Sequence, residues 1–287
     1  MTTDEQVDVS IPLDRPTAAR AYDWLLGGKQ NYEVDRQFIL EGLKKFPQVL
    51  DSARQNRQFL YRAVRYLVEE AGIEQFIDMG CGLPTNSNVH QVAQRFNPNA
   101  RVVYVDIDPI VLAHGQALLA ENESTTVITA DFRDPNAVLE HPDTKRLIDF
   151  SKPVATLFLS VAHFLRDQDE VGKGAKHALR HIVDEAAPSG SYFVLSHMVV
   201  ADPEKKEWIK QFAAKAGMPV QIRTTDEVDA LMAGLEPVEP GLVNINDWRP
   251  DPAQPDLNPV PPELHPFVGA SEKNKELFEY GGVLRKP

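Results

Sequence analysis

The stretch QFIDMGCGLPTNSN, residues 75–88, decides the fold, because an apolar strand, an acid, two glycines and a helix start follow one another within it. Phe76 and Ile77 lead as strand residues into Asp78. Gly80 and Gly82 then let the backbone turn tightly and approach a ligand, and Thr85, Asn86 or Ser87 can cap the helix that follows. In an α/β protein that order builds the floor of a nucleotide-like site.

What the turn lacks narrows the ligand. A dinucleotide-binding turn carries a third glycine three residues after the second, so that pyrophosphate rests on the helix N-terminus; here that position is Thr85, preceded by Pro84. The acid beside the turn argues the same way, since it repels phosphate and suits a cofactor bearing ammonium or sulfonium charge. The chemistry points to S-adenosylmethionine, with Asp78, Gly80, Gly82, Pro84 and Thr85 as cofactor contacts.

Outward from the turn, RVVYVDIDP (101–109) is an apolar strand ending in Asp106, placed to accept hydrogen bonds from ribose hydroxyls. Ile107 beside it is taken as a further cofactor contact. Asp108 has a plainer role, because Asp followed by Pro at a helix start reads as N-cap and first helical residue. A third apolar stretch, TTVITADF (125–132), brings Asp131 to where a side chain meets an adenine amino group, with Phe132 stacking on the ring or presenting its N–H; a turn aspartate is the alternative.

At 287 residues, with 43% hydrophobic and 25% charged, the chain can bury a full core and is neither disordered nor fibrous. Its net charge of -12 opposes nucleic acid or an anionic membrane surface as a partner. The one cysteine, Cys81, excludes an internal disulfide and reads as a small packing residue, and the polar start MTTDEQVDVS has no signal-peptide pattern, so the expected location is cytoplasmic. No apolar run reaches the roughly 18 to 20 residues a membrane span needs; VATLFLSVAHFL (154–165) suits a buried strand.

Residues 17–72 read as helical with a break at Gly27 and Gly28, giving an expected N-terminal helical cap over residues 1–72. Residues 73–287 then alternate strand and helix: strands at 76–79, 102–106, 127–130, 154–160 and 192–199, with helices from Asn86, Pro109 and Pro135 and near 171–187. The alternation predicts an α/β fold with a parallel sheet and right-handed crossovers. A third Asp-Pro pair, Asp202 and Pro203, opens another helix. The segment 250–266 holds seven prolines and reads as a surface loop, and the closing GGVLRKP (281–287) as a last, edge strand.

Several of these segments in order, ARAYDWLLGGKQNY (19–32), FIDMGCGLPTNSNVHQVAQ (76–94), VVYVDIDPIVLAH (102–114), EPGLVNINDWRP (239–250) and GGVLRKP, resemble the actinobacterial S-adenosylmethionine-dependent methyltransferases long filed as a domain of unknown function. SVAHFL (160–165) and PSGSYFVLSH (188–197) are similar to the wider class I. The resemblance spans roughly residues 10–287. It implies an α/β, Rossmann-like, seven-stranded, mostly parallel sheet with helices on both faces and cofactor binding at the sheet's carboxyl edge, and it names no substrate.

Methyl transfer from a sulfonium is a displacement that needs alignment, exclusion of water and, for some acceptors, removal of a proton. Ser160 is placed to hold the methionine moiety, and His163 to act as base or to position the acceptor. The 19–32 segment can fold over the cofactor as a lid, its glycines a hinge, Arg20 or Asn31 reaching the amino acid carboxylate and Tyr22 a second catalytic candidate; a capped surface helix is the alternative. His177 and His181 lie four apart on a helix but lack the Cys or Glu of a metal motif, so no metal is expected. The resulting expectation is a methyltransferase acting on a small or medium-sized acceptor, with an NAD(P)-dependent oxidoreductase and a non-catalytic S-adenosylmethionine-binding module as alternatives. Oligomeric state is left open.

Overall fold

The computed structural model describes residues 12–119, 122–168 and 173–287. Five parallel strands form its centre: β1 (Gln75–Met79), β2 (Arg101–Asp106), β3 (Thr125–Thr129), β4 (Ala155–Leu159) and β5 (Tyr192–Val200). The sheet order is β3-β2-β1-β4-β5-β8-β6, with β6 (Glu236–Pro237) and β7 (Val243–Asn244) both pairing with β8 (Leu277–Arg285). Runs such as VVYV and TLFL form these strands because they are rich in β-branched and aromatic residues and buried on both faces. The chain winds one way from β1 through β2 to β3 and the other way through β4 and β5. Such a reversal leaves a crevice at the carboxyl ends of β1 and β4, where ligands bind.

Two details of the sheet differ from the sequence expectation. Among the described residues it has eight strands, one more than expected, and two of them are only two residues long. The closing segment is no edge strand: β8 runs antiparallel to β5 along nine residues and pairs with β6 and β7 on its other side. Glycine makes that central place accessible, since a Cβ on Gly281 would fall 1.8 Å from the Leu195 carbonyl oxygen of β5.

Helices α3 (Gln48–Glu69), α4 (Val89–Phe96) and α5 (Pro109–Leu119) cover one face, where Phe59, Val64 and Leu67 pack with Phe76, Val102 and Leu157. On the other face α6 (Pro135–Glu140), α7 (Pro142–Leu147), α8 (Ala175–His181) and α10 (Thr225–Met232) bury Ile77, Val103, Phe158 and Phe193. Asp108, Asp134 and Asp202 each accept from backbone N–H groups of the helix they open. The helix after the glycine turn begins later than expected, at Val89. Its cap is Asn88, not Thr85, Asn86 or Ser87, and the Asn88 N–H donates to Gln91 Oε1 at 2.9 Å.

Helices α1 (Ala18–Leu25) and α2 (Glu33–Lys45) form a small apolar cluster with the N-terminal half of α3 and with Leu264. The remainder of α3 belongs to the layer on the sheet, so the helical region 12–72 serves two packing units. α9 (Pro203–Lys215) packs Ile209 and Ala213 on Val200 and Phe46. The proline-rich loop is tied to α3: Arg62 donates to Gln254 Oε1 at 2.8 Å, Arg65 pairs with Asp251 at 2.7 Å and Arg54 donates to the Asn258 carbonyl at 2.8 Å. α11 (Ala270–Lys273) then leads into β8. Among the described residues no helix is long and apolar enough to cross a membrane.

Candidate active site

β1 ends in Asp78 and Met79, and the chain turns sharply through Gly80 and Gly82, with φ of 69° and 66°. A side chain at Gly80 would meet Val161 at 2.9 Å and Phe132 at 3.1 Å, whereas Gly82 looks onto open space. The turn is stitched to the end of β2: the Gly80 and Cys81 N–H groups donate to the Val105 carbonyl at 2.8 and 3.1 Å, and the Gly82 N–H donates to Asp106 Oδ2 at 2.8 Å. The other Asp106 oxygen accepts from the Asp108 N–H at 2.9 Å. Burial raises the Asp106 carboxyl above its ordinary range, partly offset by these N–H groups.

Asp78 is buried beside it. Burial pushes its carboxyl up to about 7, with Arg57 of α3 opposing the rise and Asp106 adding to it. Arg57 also holds the following loop, donating to Asn88 Oδ1 at 2.7 Å and to the Asn86 carbonyl at 3.0 Å. Thr85 is turned into that loop, its N–H donating to Asn88 Oδ1 at 3.0 Å. Arg57, Asp78, Cys81, Gly82, Pro84, Asn88 and Tyr104 line a cleft at the turn. Burial, with Asp106 and Asp78 nearby, keeps the Cys81 thiol protonated.

Asp131 and Phe132 follow β3 at the same edge. Arg133 grips the Asp131 carboxylate with Nε and Nη2 at 2.5 to 3.0 Å; burial raises this carboxyl, but the Arg133 hydrogen bonds outweigh it and the net shift is downward. Asp131 is therefore engaged with its own neighbour. The Phe132 ring packs edge-on to Phe158 with centroids 6.1 Å apart. Ile107 is 57% exposed on the rim.

At the end of β4, Ser160 is held in the left-handed region with φ of 56°. Its N–H donates to the Ser196 carbonyl at 3.2 Å and to Ser196 Oγ at 2.8 Å, and its hydroxyl donates to Glu279 Oε1 of β8 at 2.7 Å. Ser196 Oγ donates to Asn56 Oδ1 at 2.6 Å, Asn56 Nδ2 to the Tyr22 hydroxyl at 2.8 Å, and Tyr22 to the Ala53 carbonyl at 3.0 Å. One polar chain thus joins α1, α3, β4, β5 and β8. Burial holds the Tyr22 hydroxyl far above its usual range, so it stays neutral and braced between two partners. Burial likewise pushes Glu279 up to about 7, and its Oε2 has no partner.

His163 lies in the short turn after β4, buried with its ring 6.0 Å from His197. Burial, then the nearby Arg223 charge, lowers it to about 4. Its Nδ1 is buried without a partner. The His177 and His181 rings lie tilted to one another with centroids 4.6 Å apart, and His181 Nε2 meets Asn136 at 2.9 Å; among the described residues no three His, Cys, Asp or Glu side chains gather as metal ligands.

The 19–32 segment departs from the expected role. Arg20 is fully buried against Asp35 at 2.8 Å, and its remaining nitrogens donate to the Pro12 and Arg15 carbonyls. Asn31 donates to Asp23 Oδ2 and the Gly28 carbonyl and accepts from Arg36. Neither is free to reach a ligand carboxylate, because each finds its partners inside the N-terminal region. The glycines are clamps rather than a hinge: a Cβ on Gly28 would fall 1.9 Å from Asp23 Oδ1, and one on Gly27 would fall 2.4 Å from the Pro259 carbonyl oxygen.

The profile of a family described as S-adenosyl methyltransferase matches residues 4–287. The chain belongs to that family. A solved protein from Thermobifida fusca, assigned as a methyltransferase, is 40% identical over 96% of this chain and 97% of its own, with a TM-score of 0.80. A family protein from Streptomyces avermitilis, classed by a domain of unknown function, is 35% identical over 96% and 99%, with a TM-score of 0.82. A geranyl diphosphate methyltransferase solved with S-adenosylmethionine shares the fold at 12% identity, 92% and 94% coverage and a TM-score of 0.52. No protein of curated function matches the chain.

This S-adenosyl methyltransferase therefore takes S-adenosylmethionine as its cofactor, and the residues fit that group. Asp78 and Asp106 are carboxyls raised by burial, and an ammonium, a sulfonium or ribose hydroxyls would complete them, while Gly82 leaves space above the turn. Sequence reading missed Asn56, Arg57, Ser196 and Glu279. The signals were present: Gln48, Ser52 and Asn56 form a polar stripe at helical spacing on a helix that buries many apolar residues, and Glu279 is an acid inside a buried strand.

Proposed function

We propose that this methyltransferase acts on a small or medium-sized acceptor held at the carboxyl ends of β1 and β4. Asp106 would take the ribose hydroxyls, the backbone of Gly80 and Gly82 with Pro84 and Thr85 would floor the cofactor, and Ile107 would cover its purine. Asp78 would face the charged methionine end, and Phe132 would contribute its N–H or ring. S-adenosylmethionine supplies an electrophilic methyl group. The chain's contribution is to orient the acceptor, exclude water and take up a proton.

The observation that carries this reading is the convergence of Asp78 and Asp106 on one glycine turn at the reversal of strand order. Asp131 would join them only by sharing its carboxylate with Arg133. A histidine lowered to about 4 is a weak base at neutral pH, so His163 is assigned to acceptor positioning through its free Nδ1. Tyr22 would serve as a strut rather than a reactive group.

Residues 1–72, of which 1–11 lie outside the described residues, would contribute a cap, with α1 leaning over the site through the Tyr22–Asn56–Ser196–Ser160 chain, and residues 73–287 the catalytic core. The net charge of -12 supports a partner that is neither nucleic acid nor an anionic membrane. We further assign the protein to the cytoplasm of an actinobacterium, by analogy with its Thermobifida and Streptomyces relatives. Titration calorimetry with S-adenosylhomocysteine, NADH and NADPH tests the site. Micromolar binding of the first alone is expected, and binding of a nicotinamide cofactor alone would overturn the assignment.

A further inference from the structure

The cofactor reading leaves one group unused. Glu279 sits in the interior strand β8, only 1% exposed, at the level where β4 ends. Its carboxylate has one hydrogen bond, from the Ser160 hydroxyl at 2.7 Å, and its second oxygen has no partner. An acid desolvated to this degree is destabilising unless it is neutral or serves a function. Ser160 in front of it is half-buried, and its backbone is locked by two bonds from its N–H to Ser196. The serine oxygen therefore points one way to the glutamate and keeps lone pairs for a donor from the crevice.

The groups facing Glu279 leave it sensitive to an arriving charge. From α1 the facing titratable group is Tyr22, which stays neutral; α3 presents uncharged Asn56, and Arg57 acts on Tyr22 and Asp78; β5 presents Ser196 and Met198. No basic side chain offsets its burial, which pushes it up to about 7 against the ordinary 4.5. A positive sulfur placed near Ser160 would drive its proton off.

We propose that Glu279 is the proton sink for methyl transfer, acting through Ser160, and that the acceptor is consequently a neutral hydroxyl or an N–H nitrogen. This rests on the S-adenosylmethionine site described above. The acceptor donates its hydrogen bond to Ser160 Oγ. As its lone pair forms the bond to the methyl carbon, the carbon–sulfur bond breaks and its electron pair stays on sulfur. The acceptor's proton passes to Ser160 Oγ while the serine proton passes to Glu279 Oε1, leaving a neutral carboxyl that later loses the proton to water. Ser160 touches the substrate, and Glu279 is the positioning residue behind it. Acceptors that lose no proton, such as carboxylates or tertiary amines, would have no use for the pair.

The test needs no identified acceptor. Calorimetry in two buffers of different ionisation enthalpy counts the protons exchanged when S-adenosylmethionine or S-adenosylhomocysteine binds the full-length protein. Near pH 7 the sulfonium should release a larger fraction of a proton than the neutral thioether, because burial leaves part of Glu279 protonated beforehand. Glu279→Gln should bind both ligands and abolish the difference. Ser160→Ala removes the bond that favours ionised Glu279, so the difference should persist with its midpoint moved to higher pH. This variant carries the test if the glutamine protein fails to fold. Equal proton counts for the two ligands, or an unmoved midpoint in Ser160→Ala, would overturn the proposal and leave the cofactor assignment standing. Binding of neither ligand would overturn both.

Discussion

Replacing Asp106 by asparagine should damage the turn and the cofactor site by separable amounts. The carboxylate accepts from the Gly82 N–H at 2.8 Å with one oxygen and from the Asp108 N–H at 2.9 Å with the other. Asparagine retains one acceptor, and its amide nitrogen would face a backbone donor across the second contact. Hydrogen bonds to a charged group contribute about 1.5–3 kcal/mol each, so losing one should destabilise the free protein by about 2 kcal/mol. The same replacement removes the charged acceptor offered to ribose hydroxyls. A further loss of about 1–3 kcal/mol in binding is expected, a rise of about 5- to 150-fold in the dissociation constant for S-adenosylhomocysteine. Urea unfolding without ligand reads the first quantity, and titration calorimetry on the folded variant reads the second. A variant that loses stability but binds with wild-type affinity would reduce Asp106 to a brace for the turn and refute its role as ribose anchor.

The other predictions concern the buried charges and the N-terminal clamps. Glu279 keeps its proton in the folded protein up to about pH 7, whereas the unfolded chain loses it near 4.5. Its contribution therefore makes stability fall as pH rises through that window, by about 3 kcal/mol at most, and Glu279→Gln should flatten the profile in urea unfolding between about pH 4.5 and 7; an identical slope in both proteins would contradict it. His163, lowered to about 4, acts in the opposite sense: the unfolded chain gains a proton below about 6.5 while the folded one does not, so His163→Asn should reduce the loss of stability between pH 6.5 and 4. Arg20→Met leaves Asp35 buried without its cation and should cost about 3–5 kcal/mol, read as a lowered urea midpoint. Gly28→Ala drives a methyl group into the Asp23 carboxylate and should destabilise by about 2 kcal/mol or more, whereas a thermal midpoint equal to the wild type would show that Asp23 can move aside.

The sequence carried the parallel core because its signals are local. VVYVD and FIDMG each combine an apolar run with an acid and a turn, and the Asp-Pro pairs punctuate three helix starts. The central place of β8 was not legible, since its partner β5 lies far away in sequence and nothing in GGVLRKP records which strands flank it. The site divides along the same line. Asp78, Asp106 and the glycines meet because adjacent parallel strands present their ends together, a consequence of topology that sequence pattern can anticipate.

The second half of the site depends on side chains from α1, α3 and β8, brought together only by tertiary packing. Asn56 and Glu279 could be marked as buried polar residues, but not as members of one hydrogen-bonded chain. The 19–32 segment shows the opposite error. Its unusual residues were visible, yet their partners, Asp35 for Arg20 and Asp23 for Gly28 and Asn31, lie in the same region, so rarity of composition served local architecture rather than ligand contact.

A crystal structure of the protein grown with S-adenosylhomocysteine tests the central claim most directly. The ribose hydroxyls should lie within hydrogen-bond distance of Asp106, the methionine end beside Asp78 and the sulfur facing Ser160. An adenosine bound elsewhere, or one lying across the turn with Asp106 still serving only the Gly82 and Asp108 N–H groups, would contradict it.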